Sequence, residues 1–237
     1  MKKALIFFAI LILLACQGQT PSVISMNASE FKFSLDSHDA ILLDVRTPQE
    51  QLTGIIEDAS KIDFYDPNFE SKISKIQKDK TVFVYCKSGG RSEKAAQLVI
   101  ASGHKKVINL NGGIMAWKKA GYSLTATEYI KDEILAELSI VEFNSLLHQH
   151  ELVLVDFHTL WCVPCRKIAP MINQISEEFS ETILVAKVDI DQSQELADLY
   201  KIQVVPTLVL FKDQQEVWRN SGVISKDSLL KVLESYW

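Results

Sequence analysis

Glycine and proline are scarce, nine and six in 237 residues, which excludes a collagen-like chain or an extended linker. An excess of positive charge is also missing. Lys and Arg number 25 against 30 Asp and Glu, so the net charge of −5 has the wrong sign for neutralising phosphates, and nucleic acid is excluded as a partner. The opening apolar run, Ala4 to Ala15, would rise only about 18 Å as a helix, too little for a hydrocarbon core of about 30 Å. Cysteine is sparse, at four residues. What is present, 47% hydrophobic and 23% charged side chains, is the composition of a folded globular chain and not of a disordered or fibrous one. The length is more than one domain of about 100–150 residues needs, so two domains are expected.

Lys2 and Lys3 followed by that short apolar run are the pattern of a secretory signal peptide. Its end, Leu13-Leu14-Ala15-Cys16, resembles the lipobox of bacterial lipoproteins. The resemblance implies cleavage after residue 15, a diacylglycerol thioether on Cys16 and an acylated new amino terminus; three chains suffice for stable anchoring. Ordinary secretion with Cys16 as a chance residue is the alternative. The implied location is the bacterial cell envelope, lipid-anchored and facing the periplasm. Gln17, where an Asp is absent, favours the outer membrane under the enterobacterial sorting pattern. Cleavage would remove two lysines and no acids, carrying the net charge from −5 to −7, so the membrane contact is lipid rather than basic residues. Cys86, Cys162 and Cys165 then remain, an odd number of thiols in an oxidising compartment.

Asn27-Ala28-Ser29-Glu30 and Ser139-Ile140-Val141-Glu142 are capping-box patterns, each marking the first helix of a domain. Each is followed by a nearly continuous apolar run ending in an acid, Ala40 to Val45 and Leu152 to Phe157, as in strands buried on both faces. Two α/β domains are expected. The boundaries are 1–15 signal peptide, 16–23 spacer, 24–124 first domain, 125–130 connection and 131–237 second domain.

Thr81 to Tyr85 reads as a core strand running into Cys86-Lys87-Ser88-Gly89-Gly90-Arg91-Ser92 and then a helix from Glu93 to Ala101. A Cys at the carboxyl end of such a strand, before a glycine-bearing turn, sits where backbone N–H groups can converge on an anion. Lys87, Arg91 and the helix dipole would lower the thiol pKa and hold an anionic substrate. A buried, inert Cys is the alternative. With Leu43-Asp44-Val45-Arg46-Thr47-Pro48-Gln49-Glu50 and Leu110-Asn111-Gly112-Gly113-Ile114-Met115-Ala116-Trp117, the segment resembles a single-domain rhodanese with a parallel sheet. The resemblance implies a sulfurtransferase in which Cys86 becomes a persulfide. Lys87, Ser88, Gly89, Gly90 and Arg91 would form the cradle for a sulfane-sulfur donor such as thiosulfate. The four-residue gap between Cys86 and Arg91 is the sulfurtransferase loop length; phosphatases and rhodanese-like arsenate reductases use five. Gly54-Ile55-Ile56 departs from the family, which usually has His in the middle. Asp44 and Arg46 read as structural.

Trp161-Cys162-Val163-Pro164-Cys165 follows the strand Leu152 to His158 and opens a helix running to about Phe179. Pro164 suits a first helical turn. Cys162 at the positive helix end is the more acidic thiol, and Cys165 is placed to attack a mixed disulfide formed on it. Zinc lacks a second ligand pair, and a purely structural disulfide would close too small a loop to stabilise much. Together with Val204-Val205-Pro206-Thr207-Leu208 and Gly222, the segment resembles thioredoxin, which implies a mixed sheet. By that resemblance Cys162 attacks, Cys165 resolves, Asp156 is the buried acid with Lys187 as its neighbour, Pro206 is a cis proline facing the pair, and Trp161 and Pro206 line the substrate face. The Val163-Pro164 dipeptide differs from the usual Gly-Pro and is similar to that of membrane-tethered reductive thioredoxin-like proteins of cytochrome c maturation. Asp213-Gln214-Gln215-Glu216 lacks the usual hairpin Gly.

The leading expectation is a periplasmic, membrane-anchored thiol–disulfide oxidoreductase, favoured as a reductase, fused to a sulfurtransferase, with coupling of the two as a further expectation. Partners would be protein thiols or disulfides, a sulfane-sulfur donor and an unidentified electron donor; no cofactor beyond the Cys162/Cys165 disulfide and the Cys86 persulfide is expected. A docking or sulfur-carrying rhodanese domain beside an active thioredoxin domain is the alternative. A net oxidant or isomerase of secreted disulfides is a third.

Overall fold

The computed structural model describes residues 21–37, 39–126 and 138–237. The signal peptide, Cys16 and most of the connection lie outside the described residues. The first domain runs β1 (Ser22–Met26), α1 (Ala28–Asp36), β2 (Ala40–Asp44), α2 (Pro48–Gln51), β3 (Ser60–Lys61), α3 (Phe69–Ser74), β4 (Thr81–Tyr85), α4 (Gly90–Ala101), β5 (Lys106–Leu110) and α5 (Gly113–Lys119). The second runs α6 (Ile140–Gln149), β6 (Leu152–His158), α7 (Val163–Glu178), β7 (Leu184–Asp189), α8 (Gln194–Leu199), β8 (Thr207–Lys212), β9 (Gln215–Ser221) and α9 (Lys226–Glu234).

Five strands in the order β1-β5-β4-β2-β3 make the first sheet, parallel throughout. β2, β4 and β5 are buried along nearly their whole length, as their apolar runs require. The spacer expected over 16–23 overlaps this sheet: Ser22 and Val23 pair with Lys106 and Val107. Such a short edge strand carries no continuous apolar pattern of its own; β5 supplies its partner and thereby its structure.

Four strands in the order β7-β6-β8-β9 make the second sheet, with β7 parallel and β8 antiparallel to β6. The β8–β9 hairpin turns on Asp213 and Gln214, both at positive φ, so a two-residue turn forms where glycine would ordinarily lower its cost. Capping boxes close the starts of α1 at Asn27 and α6 at Ser139, where the sequence pattern placed them, and a third closes α2 at Thr47 with Glu50.

The domains pack together. One continuous cluster of buried side chains includes Phe69, Ile73 and Ile76 of the first domain and Trp161, Cys162, Ile202 and Val205 of the second. Salt bridges Lys72–Asp191 at 3.4 Å and Lys167–Asp58 at 2.6 Å rim this contact.

Candidate functional sites

Cys86 leaves β4 at its carboxyl end and is 1% exposed. Gly89, at φ 103°, turns its N–H onto the Cys86 Sγ at 3.2 Å, and the Ser92 hydroxyl lies 3.4 Å from the same sulfur. Burial pushes the thiol pKa up, but hydrogen bonds from Ser92, Ser88 and Gly89 to the sulfur win, and the thiol is more acidic than usual. The loop is held from behind by the first turn of α5. Ile114 and Met115 donate their N–H groups to the Cys86 and Lys87 carbonyls at 2.9 and 3.2 Å. Gly113 permits this approach: a Cβ there would stand 2.5 Å from the Cys86 oxygen. Asp44 and Arg46 are structural, as expected. They form a buried ion pair, with Tyr85 donating its hydroxyl to Asp44 at 2.8 Å and Arg46 reaching the Glu50 and Gly54 carbonyls.

Lys87, Ser88 and Gly90 are exposed at the loop mouth. Arg91 is not free to serve an anion: Glu50 takes its guanidinium with two bonds of 2.7 Å, and Tyr65 lies against it. The sequence marked Glu50 only as the end of the Leu43 to Glu50 stretch, and nothing in one dimension pairs it with residue 91. Ser92 was legible as part of the loop, but its contact with the sulfur depends on the turn.

In the second domain Cys162 is the N-cap of α7 and forms a disulfide with Cys165. Its Sγ accepts the Cys165 N–H at 3.1 Å, so the helix start directs a backbone dipole at this sulfur. Pro164 occupies the first turn as expected. Pro206 follows a cis peptide bond. Asp156 is buried, and its Oδ1 has no hydrogen-bond partner among the described residues. Burial raises its pKa, opposed by the positive charges of His158 and Lys187. Lys187 stands opposite Asp156 in the β6–β7 register, yet its ammonium is bonded to Asn173, so it acts on the acid through space and not by contact. Trp161 is largely buried, its Nε1 donating to Asp191 at 2.9 Å.

The two sites do not meet. Ser60 aligns with Leu43 and Leu43 with Val84, so Cys86 lies two strands in from the edge against which the Cys162 helix rests, about 10 Å across the sheet before any distance along it. Among the described residues no group of His, Cys, Asp and Glu could hold a metal ion, and no helix is long and apolar enough to cross a membrane.

Comparison with known proteins bears on both halves. The rhodanese-like domain model matches residues 27–120 and the thioredoxin model residues 135–235. The thioredoxin of Chlamydia trachomatis is 41% identical over 85 residues, 36% of this chain and 82% of that protein. A sulfurtransferase of Allochromatium vinosum is 39% identical over 93 residues, 39% of this chain and 85% of that protein. A thioredoxin structure from Plasmodium falciparum is 33% identical, with a TM-score of 0.40 over 42% of this chain and 96% of that one. The two domain matches and the two sequence relatives support thiol–disulfide oxidoreductase and sulfurtransferase-type activities in one fusion. The chain belongs to the thioredoxin family through its second domain and carries a rhodanese-like domain ahead of it.

Proposed function

We propose that the chain is a periplasmic, lipid-anchored disulfide reductase joined to a sulfurtransferase that forms a persulfide on Cys86. The observation that carries the first half is the helix-capping Cys162, whose sulfur receives a backbone N–H while bonded to Cys165. In the reduced chain the Cys162 thiolate attacks a partner disulfide and expels one partner thiol. Deprotonated Cys165 then attacks the mixed disulfide, the second partner thiol leaves, and the chain is left as the Cys162–Cys165 disulfide. Asp156, kept protonatable by burial, is the proposed acceptor of the Cys165 proton. An external dithiol would return the two electrons.

At the other site the Cys86 thiolate takes the outer sulfur of thiosulfate, sulfite leaves, and the persulfide passes its sulfur to cyanide or a thiol. Lys87 and the loop amides would receive the donor. Sulfur passing onward from Cys86 to Cys162 would need the domains to reorient, given the strands between them. A second reading, the rhodanese-like domain as a docking module, is favoured by the Arg91–Glu50 pair and the burial of Cys86.

The deciding measurements are the Cys162/Cys165 reduction potential and thiosulfate:cyanide transfer. A potential near about −270 mV supports the reductant and one near about −120 mV replaces it by an oxidant. No transfer with any of several sulfane donors gives the docking reading. Palmitate labelling that depends on Cys16 supports the anchor, and an unlabelled, wholly soluble protein ends it.

A further inference from the structure

The disulfide, the group that must meet a partner, is buried: Cys162 is 2% exposed and Cys165 4%. Two peptide donors of the same domain share its buried contact, one next to Cys162 in sequence and one at Val205 in the same cluster of buried side chains. The Val163 N–H belongs to the first turn of α7, where a helix has no acceptor of its own. The Val205 N–H lies beside the cis Val205–Pro206 bond, ahead of β8. Both are filled from the other domain: Ser60 Oγ accepts from Val163 at 3.2 Å and the Lys75 carbonyl from Val205 at 3.0 Å. The Lys75 ammonium also donates to the Ile202 carbonyl at 2.5 Å, so one residue offers an acceptor and a donor to a short stretch of backbone. An extended polypeptide joining an exposed backbone would use the same groups.

We propose that the face around the disulfide is an interaction surface occupied by the chain's own rhodanese-like domain, and that a polypeptide thiol or disulfide reaches Cys162 by displacing Ser60 and Lys75 from the Val163 and Val205 amides. The consequence for turnover rests on the oxidoreductase reading; the docking does not. Displacement is within a partner's reach. The rim salt bridges are partly solvated and individually weak, so what a partner must replace is chiefly the apolar contact behind them and the two amide hydrogen bonds. Lys61 of β3 and Arg166 of α7 bring like charges together across the contact, offset by Asp58 beside Arg166. Ser60 is level with Val84, two residues before Cys86, so what separates the Cys86 and Cys162 sulfurs is chiefly the width of the strands between them.

The test uses the full reduced chain. Cys162 carbamidomethylation by iodoacetamide is followed by peptide mass spectrometry, and amide exchange is followed at Val163 and Val205. Two variants loosen the contact independently. Lys72→Glu with Lys167→Glu reverses the rim charges. Gln77→Trp is a charge-neutral wedge at a place so close that a Cβ on Gly222 would lie 2.2 Å from the Gln77 Nε2. Both variants should alkylate Cys162 about tenfold faster than the parent and lose protection at both amides. Equal alkylation in parent and variants, or faster amide exchange without faster alkylation, overturns the proposal. Insulin reduction is measured in parallel: no turnover in any form, alongside the tenfold alkylation difference, removes the oxidoreductase reading and supports the docking.

Discussion

Arg91 and Glu50 face each other fork to fork, with both nitrogen–oxygen distances at 2.7 Å. The Arg91 charge beside the Cys86 loop is therefore largely cancelled, leaving Lys87 as the cation at its mouth, and the acidity of that thiol comes from backbone and hydroxyl donors rather than from a free guanidinium.

Glu50→Gln should expose Arg91 to the donor and lower the KM for thiosulfate about threefold, with little change in kcat. The same change should cost about 1 kcal/mol of stability at neutral pH. The Arg91 bond pulls the Glu50 pKa from 4.5 down to about 2, so its contribution is complete above about pH 4.5 and disappears as the pH falls through about 2. Thermal melts of the two proteins should converge across that window; a constant gap would contradict the assignment.

Cys86→Ala should abolish sulfur transfer and leave insulin reduction intact, because the two sulfurs lie in separate loops. Ser92→Ala, in a chain whose other three cysteines are serine, should move the pH midpoint of Cys86 alkylation up by about one unit, the loss of one hydrogen bond to a thiolate. An unmoved midpoint would leave the backbone donors as the whole cause.

Cys162→Ser should stop disulfide reduction, whereas Cys165→Ser should accumulate partners as mixed disulfides on Cys162. Non-reducing gels with an added protein disulfide distinguish these outcomes. Equal trapping by both variants would reverse the roles.

Asp156→Asn should slow reduction about tenfold or more and yet stabilise the fold. Burial raises the folded pKa above the ordinary 3.8, so the native state holds this proton longer than the unfolded chain and stability falls as pH rises from about 3.8 through the folded value. Removing the ionisable group should therefore gain about 1–3 kcal/mol at pH 8 and nothing at pH 3. A lower melting temperature at pH 8 would show that the charged form is better solvated than its burial implies.

Much of this protein is written in short-range chemistry. Apolar runs become strands because every second and every adjacent side chain finds cover in a sheet with helices on its faces, and Asn27 and Ser139 cap helices through donors only two or three residues away. The two thiol loops are equally local: a Cys with its glycine turn and a Cys-x2-Cys at a helix start carry their own backbone donors. The turn at Asp213 and Gln214 shows the limit of this reading, since strand pairing across the hairpin holds a conformation that neither residue favours alone.

What tertiary structure alone decided is where those groups point and what covers them. Glu50 is 41 residues from Arg91, Ser60 is 103 from Val163, and Lys75 and Val205 come from different domains. Their pairing follows from strand order and from the docking of one domain on the other, which no periodicity encodes. The chemistry of each sulfur was therefore determined locally by its sequence, while access to it was set by packing, because burial depends on surfaces that only the folded chain brings together.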